Sequence, residues 1–474
     1  MSTIENIASY IPTVASPKQK HLGFNLKMKW TLVVLFVFFI LGSIPLWGLD
    51  PASQFQFAQL ELILGASFGS LMSLGIGPIV TASIVLQLLK GSGILNIDTH
   101  TEAGKKKFQA LQRVSSLFFV VFEAFIYVYM GGLTPPAGSV NFTALQLGLV
   151  FQLAVGGFLI MMMDEIVSKW GFGSGIGLFI AAGVSKEVVV RTLSPFRNVV
   201  EGVASEGYVG AVPELFRTIF IGDTTAATLS FAAIASTIIV FFMVVYTQAM
   251  RVEIPLSFGR VRGHGVRWPL NFFYTSNIPV ILVAALLANV QLWARLMQNW
   301  AESSGSALVA RISGWVGTYA GDTPVSGFIL YVTPPNLLQA AITNSFTTQL
   351  VVIALVYTVI LAIGSTVFSY FWVQTAGLDA KSQAKNIMAS GLQVPGFRKD
   401  PRVVERLLER YVLPLTIMGG LAVGVLAAIA DLAGALTSGM GLLLAVMIIY
   451  KTYEEVAKEQ AYDMNPMMRK FLGK

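Results

Sequence analysis

Few residues in this 474-residue chain are placed to make or break bonds. Ser174, in the run Gly171-Phe172-Gly173-Ser174-Gly175-Ile176-Gly177, is a candidate nucleophile. A serine needs a base within hydrogen-bond reach, and the three histidines, His21, His100 and His264, lie far apart in polar segments. The same separation leaves no histidine cluster for a metal, and the absence of cysteine excludes thiolate sites and disulfides. The glycine run resembles a dinucleotide fingerprint only superficially, because that motif needs a strand–turn–helix context and this one joins two apolar runs. No phosphate-binding loop ending in Gly-Lys-Ser or Gly-Lys-Thr occurs. The remaining ionisable candidates are Glu123 in the middle of an apolar run, Lys186 and Arg295 near run ends, and Asp164-Glu165 at an edge. A carrier places such groups at the membrane midplane to bind its solute or coupling ion, and these are sparse for that task. An enzyme is not expected, and no cofactor is implied.

The elements that position these residues are membrane spans. The chain is 55% hydrophobic and 12% charged, against roughly 25% charged in soluble proteins. Apolar runs of spanning length cover residues 30–49, 76–89, 114–132, 145–163 and 175–190, then 226–250, 278–297, 347–373, 413–429 and 436–450. Ten spans put both termini on one side. Of 32 Lys and Arg, 26 fall on the side of the N-terminus and five on the other, so the positive-inside rule predicts cytoplasmic termini. Trp30 follows a polar stretch and opens a run long enough to span, so a cleavable signal peptide is not expected. Ile4, Ile7, Ala8 and Ile11 recur at helical spacing and predict a surface helix.

The expected organisation is an N-terminal segment 1–29, a half 30–200, a half 201–453 with long cytoplasmic loops at 251–277 and 374–411, and a tail 454–474. Five spans per half would be related by inverted topology. That symmetry follows from counting, since no residue-level repeat is evident. The long apolar stretch Leu60 to Leu89 is broken at Leu74-Gly75-Ile76-Gly77-Pro78-Ile79-Val80-Thr81. Lipid cannot satisfy the backbone there, so the break should lie within protein or face water; an ordinary span kinked by Pro78 is the competing reading.

Several spans begin with small residues followed by bulky apolar ones. Ile76 and Val80 are i, i+4, as are Ile176 and Ile180, and each pair shares a helix face. Ile278-Pro279-Val280-Ile281 follows Thr275-Ser276-Asn277, and Leu442-Leu443-Leu444 follows Gly439-Met440-Gly441. Such side chains could close a pore by excluding water, or simply pack among helices and lipid.

Leu-Gly-Ile-Gly-Pro-Ile-Val-Thr-Ala at 74–82, Gly-Ser-Gly-Ile-Gly at 173–177, Tyr-Thr-Ser-Asn-Ile-Pro-Val-Ile-Leu at 274–282 and Val-Pro-Gly-Phe-Arg at 394–398 resemble the SecY family of protein-conducting channel subunits, archaeal type. The resemblance implies an all-α integral membrane protein whose ten transmembrane helices form two pseudo-symmetric five-helix halves around a central hourglass pore. It implies a passive channel that passes unfolded polypeptide across, and releases hydrophobic segments laterally into, the cytoplasmic membrane; a secondary transporter of a small solute is the alternative. The pore ring falls on Ile76, Val80, Ile176, Ile180, Ile281 and Leu444. A plug half-helix at about 58–70, small and loosely packed, takes in Leu60, Leu62, Ile63, Leu64, Gly65, Ala66, Ser67, Phe68, Gly69 and Ser70. A lateral gate between spans two and three and spans seven and eight carries Thr81, Gln87, Glu123 and Asn289. Ribosome contact falls on Arg260, Arg262, Arg267, Arg398, Lys399 and Arg402, although Gly263-His264-Gly265 makes the first loop less basic at its tip. Asp400-Pro401 is expected to start a short basic helix. The implied partners are the SecE (gamma) and Sec-beta small subunits, a translating ribosome, signal peptides and nascent chains, and membrane lipid.

Overall fold

A computed structural model describes residues 10–19, 22–50, 66–95, 97, 101–136, 138–139, 141–200, 203–258, 265–275, 277–321, 323–389, 392–393 and 400–464. The first half contributes α1 (Phe24–Leu41), α2 (Gly77–Gly91), α3 (Glu102–Tyr129), α4 (Phe142–Trp170) and α5 (Gly175–Leu193). After the hairpin β1 (Arg197–Val200) and β2 (Val203–Tyr208) come α6 (Ala211–Ile221) and α7 (Thr224–Gln248). A second hairpin, β3 (Arg251–Phe258) and β4 (Gly265–Asn271), leads to α8 (Ile278–Ser304) and the short α9 (Ala307–Val316). The strands β5 (Thr318–Ala320) and β6 (Thr323–Ser326) and the helices α10 (Ile329–Val332) and α11 (Leu337–Ile342) precede α12 (Thr348–Thr375). The chain closes with α13 (Ala380–Ala389), β7 (Leu392–Gln393), α14 (Pro401–Leu432) and α15 (Gly439–Met464).

Ten of these helices match the ten expected spans: α1 to α5, α7, α8, α12, α14 and α15. Seven are long and apolar enough to cross a bilayer by themselves. The other three, α2, α5 and α15, are short or carry charges, and all three are central. A 15-residue helix such as α2 rises about 22 Å, less than the ~30 Å of hydrocarbon. Neighbouring helices and the non-helical segment before it complete the crossing. The outer helices turn large apolar side chains outward, among them Phe36, Phe151, Phe231 and Leu355, as lipid requires.

Caps set the ends of several helices. Thr101 accepts the Gly104 N–H at the start of α3, and Asp223 accepts the Thr225 and Ala226 N–H groups at the start of α7. Asp400 accepts the Arg402 N–H with Pro401 in the first turn. The expected short basic helix is there as the opening of α14, which continues unbroken through Pro414 into the ninth span. Outside the membrane, β3 and β4 pair from Arg251 opposite Asn271 to Ser257 opposite Gly265, and β7 adds to the other edge through Ser257–Gln393. This small sheet, α13 and the start of α14 share a core of Ile254, Leu270, Ile387, Val404 and Leu408. Such hairpins were not foreseen from an all-helical reading, though they leave the membrane architecture unchanged. Of the expected N-terminal surface helix, Ile4, Ile7 and Ala8 lie outside the described residues, and Ile11 is buried in the main core.

Candidate functional site

The break before α2 lies wholly within protein. Residues 66–76 form consecutive turns, not a half-helix, and Met72, Ser73, Leu74 and Ile76 are all at most 1% exposed. Its polar groups are met locally, as the absence of lipid partners demands. The Leu46 N–H donates to Gly69 O and the Leu71 N–H to Ile44 O, while the Ser70 and Ser73 hydroxyls donate to Ser67 O and Ser70 O. Gly75 takes φ +55°, which glycine adopts without strain. On the far side, Gly156 of α4 meets the segment so closely that a Cβ there would stand 1.8 Å from Leu71 O. Phe68, stacked on Tyr127 at 6.0 Å, and Ser70 are buried, so the described end of the expected plug is tightly packed, contrary to the loose packing its composition suggested. Leu60, Leu62, Ile63, Leu64 and Gly65 lie outside the described residues.

Two cavities face each other across an apolar layer. The first, of about 620 Å³, is lined by Val80, Ser83 and Gln87 of α2, Ser174, Ile176 and Gly177 at the start of α5, Ile278 and Ile281 of α8, and Ile448 and Lys451 of α15. The second, of about 270 Å³, is lined by Ala284, Leu287 and Gln291 further along α8, Asp431 of α14, and Gly439 and Met440 at the start of α15. Arg191, near the end of α5, also lines it. Thus α5 runs from the first cavity to the second, and α15 runs the other way.

Between the cavities Ile76, Val80, Ile180, Ile281 and Leu444 are buried in one cluster, with Ile176 packed against it on the first cavity's side. All six expected ring residues thus belong to this cluster or pack against it, and Val80, Ile176 and Ile281 also line the first cavity. Met440, absent from that set, stands at the second cavity's edge of the same layer, and Ile79, Phe179 and Val184 thicken it. Their apolar character alone could not distinguish them from ordinary core.

A polar seam crosses three helices beside this layer. The Thr81 hydroxyl lies 3.0 Å from Glu123 Oε1 and 2.9 Å from Gly77 O, with one hydrogen to donate between them. It accepts the Asn289 amide N–H at 2.9 Å. Glu123 Oε2 and Asn289 Oδ1 have no hydrogen-bond partner among the described residues. Gln87 is not part of this triad; it lines the first cavity two turns away, and its carbonyl oxygen is also unmatched. Sequence reasoning missed Gln112 of α3, whose amide donates to Ser83 of α2 at 3.0 Å. It also missed the buried pair Thr275 and Ser369 at 3.1 Å.

Of the ionisable candidates, Glu165 and Arg295 have other partners. Glu165 binds Arg113 at 2.5 Å and Lys169 at 2.8 Å and accepts the Val14 N–H. Arg295 stacks its guanidinium over Tyr319 at 4.4 Å, and Lys186 is exposed. Among the described residues no group of three metal-ligating side chains occurs. Of the basic loop residues, Arg267 stands in β4 opposite Pro255 and Arg402 is exposed in the first turn of α14. Arg260, Arg262, Arg398 and Lys399 lie outside the described residues.

Comparison with known proteins agrees with this layout. Residues 70–453 match the family described as SecY, and residues 36–69 match the plug domain of Sec61p. The protein translocase subunit SecY of Pyrococcus furiosus is 41% identical over 98% of this chain and 97% of its own. That of Methanocaldococcus jannaschii is 40% identical over the whole of both. Among solved structures, a protein-conducting channel superposes with TM-score 0.80 at 38% identity, covering 96% of this chain and 97% of that one. Sec61 in the canine ribosome-channel complex gives TM-score 0.76, also at 38% identity and with the same coverage of both chains.

Proposed function

The chain belongs to the SecY family, and from that premise we propose how its residues conduct and seal. It is a multi-pass membrane protein, a channel for unfolded polypeptide and not an enzyme. The solute-transporter alternative is not favoured, and the scattered ionisable groups give it no support.

The observation that carries the mechanism is the apolar layer between two cavities, built by α2, α5, α8 and α15 from both halves of the chain. Ile76, Val80, Ile176, Ile180, Ile281 and Leu444 act as a gasket. A translocating chain carries every kind of side chain, and an apolar ring seals by excluding water without binding any of them. The plug comprises about residues 58–70; the burial of Phe68 and Ser70 supports a closed position. The seam Thr81–Glu123–Asn289 holds α2 and α3 against α8, the line along which hydrophobic segments leave for lipid. Gln87 belongs to the same lateral gate, on the part of α2 that lines the first cavity.

The termini, the β3–β4 hairpin and the 374–411 loop face the cytoplasm, as the basic residues dictate, and the membrane is the cytoplasmic one. The halves 30–200 and 201–453 are an inverted pair. A translating ribosome is a partner, a reading supported by the Sec61 relative's place in a ribosome-channel complex. Its docking to Arg260, Arg262, Arg267, Arg398, Lys399 and Arg402 is supported by β7 pairing with β3, which brings the bases of both basic loops together. SecE and Sec-beta complete the complex. Replacing Ile76, Val80, Ile176 and Ile180 together with serine tests the gasket: reconstituted vesicles should leak ions, and unchanged conductance removes the ring.

A further inference from the structure

Two aspartates that this reading leaves idle occupy matching places. α5 opens with Ser174-Gly175-Ile176-Gly177 and α15 with Ser438-Gly439-Met440-Gly441. The first amides of a helix have no partner within it, and Ser174 at the N-cap of α5 makes no capping bond. Asp164, from the neighbouring α4, supplies the acceptor instead. It takes the Ile176 N–H at 3.0 Å and is bonded by the Gly175 N–H as well. At the other site Asp431, near the end of α14, takes the Met440 N–H at 2.7 Å and is bonded by the Gly439 N–H. Tyr357 OH at 2.6 Å and Ser438 Oγ at 3.3 Å orient its carboxylate.

Both contacts require glycine. A Cβ on Gly175 would lie 2.5 Å from Asp164 Cα, and one on Gly439 would lie 1.9 Å from Ala430 O. Asp164 lines the first cavity and Asp431 the second. The fourth and fifth spans of each half therefore repeat one joint, on opposite faces of the apolar layer. Other bonds before α15, such as Ser236 Oγ to Ala433 O and the Leu436 N–H to Thr237 Oγ1, hold the preceding loop and not the first turn.

Ile180 follows Gly175 by five residues, and Leu444 follows Gly439 by five. That is about 7.5 Å along each axis, a length over which a helix is stiff. The height of each apolar side chain thus follows from where its first turn is held. We infer that Asp164 and Asp431 are a matched pair of positioning residues that set the height, and so the seal, of the two helices carrying Ile180 and Leu444. The inference rests on the reading of those two residues as part of the ring.

The test uses the full complex in vesicles, with Asp164→Ala, Asp431→Ala, Asp164→Asn, Asp431→Asn, and the direct ring changes Ile180→Ser and Leu444→Ser. Because the chain has no cysteine, Leu444→Cys reports exposure to a membrane-impermeant thiol reagent, with and without Asp431→Ala. The alanine variants should raise both basal conductance and thiol labelling by about tenfold, an ordinary coupling magnitude. The asparagine variants keep an acceptor oxygen and should restore both. A lower melting temperature with unchanged conductance per inserted channel means a merely structural role and overturns the proposal. So does an asparagine variant as leaky as its alanine counterpart. If the serine variants leak and the alanine ones do not, the aspartate pair falls and the ring stands. If the serine variants do not leak, the ring falls and takes the pair with it. Should Asp431→Ala not insert, Asp431→Glu, its carboxylate displaced by one methylene, replaces it: raised labelling supports the proposal and unchanged labelling overturns it.

Discussion

Thr81→Val should loosen the lateral seam, and Asn289→Leu should tighten it. Valine keeps the shape of Thr81 while removing the hydroxyl that accepts from Asn289 at 2.9 Å and faces Glu123 at 3.0 Å. In the closed seam both partners are then buried without each other. On opening they reach water or the translocating chain, so the penalty weighs on the closed state alone. Interhelical side-chain bonds average about 0.6 and reach about 1.7 kcal/mol, and two of them give roughly 1–3 kcal/mol, or about a 5- to 150-fold rise in the open population. Asn289→Leu loses one such bond. It also removes an amide oxygen that has no partner when the seam is closed, a group whose burial costs about 1–3 kcal/mol. The net effect favours closure by roughly 1 kcal/mol, about fivefold. Reconstituted complexes should be assayed for translocation of a set of precursors with graded signal hydrophobicity. Thr81→Val should admit weaker signals, Asn289→Leu should demand stronger ones, and Thr81→Ser should behave as the parent. A shift of both variants in the same direction, or of neither, refutes the hydrogen-bond account of the seam.

Gly156→Ala places a methyl 1.8 Å from Leu71 O, and the turns at 66–76 must shift. Overpacking of this kind costs about 1–3 kcal/mol, so the melting temperature should fall and closed-state conductance should rise; a parental value for both removes the contact as a seat for the plug. Glu214 accepts from Arg217 at 2.6 and 3.0 Å and from the Tyr208 N–H at 2.7 Å, and the Arg217 guanidinium holds its carboxyl below the usual 4.5. A depressed carboxylate contributes stability that is present above its unfolded pKa and lost as pH falls through the folded one. The protection factor for amide exchange over 203–221, with the intrinsic pH dependence divided out, should therefore stay constant down to pH 4.5 and fall only below it, while Glu214→Gln should be less protected at neutral pH and lose that acid step.

The spans were legible because lipid imposes a composition, and the burial of the break because lipid cannot satisfy an interrupted backbone. The proposed ring residues were readable as faces of helices, though nothing in their side-chain type separates them from other isoleucines. What stayed hidden depends on contacts between distant segments. Gly156 looks like any small residue in a span until Leu71 arrives against it. The repeated joint of the two halves is four residues long, and its aspartates stand eleven residues before Gly175 and eight before Gly439, a spacing too uneven to stand out as a repeat in the sequence. The plug composition suggested slack where Phe68 and Ser70 are packed. The β3–β4–β7 sheet joins loops more than a hundred residues apart, a pairing no local pattern announces.

The thinness of the layer between the cavities has an electrical consequence. On α15 the second cavity reaches Met440 and the first reaches Ile448, eight residues apart, or about 12 Å of helix. Where water fills both cavities, the membrane voltage falls mainly across the layer between them and not across the whole ~30 Å of hydrocarbon, so the local field is steeper. Each unit charge on a passing chain then crosses nearly the full potential within a few residues, at about 2.3 kcal/mol per 100 mV. In a cell with a negative interior, acidic residues are drawn outward through the waist and basic ones are held back. The waist thus biases passage by charge, favouring acidic residues and opposing basic ones at each crossing.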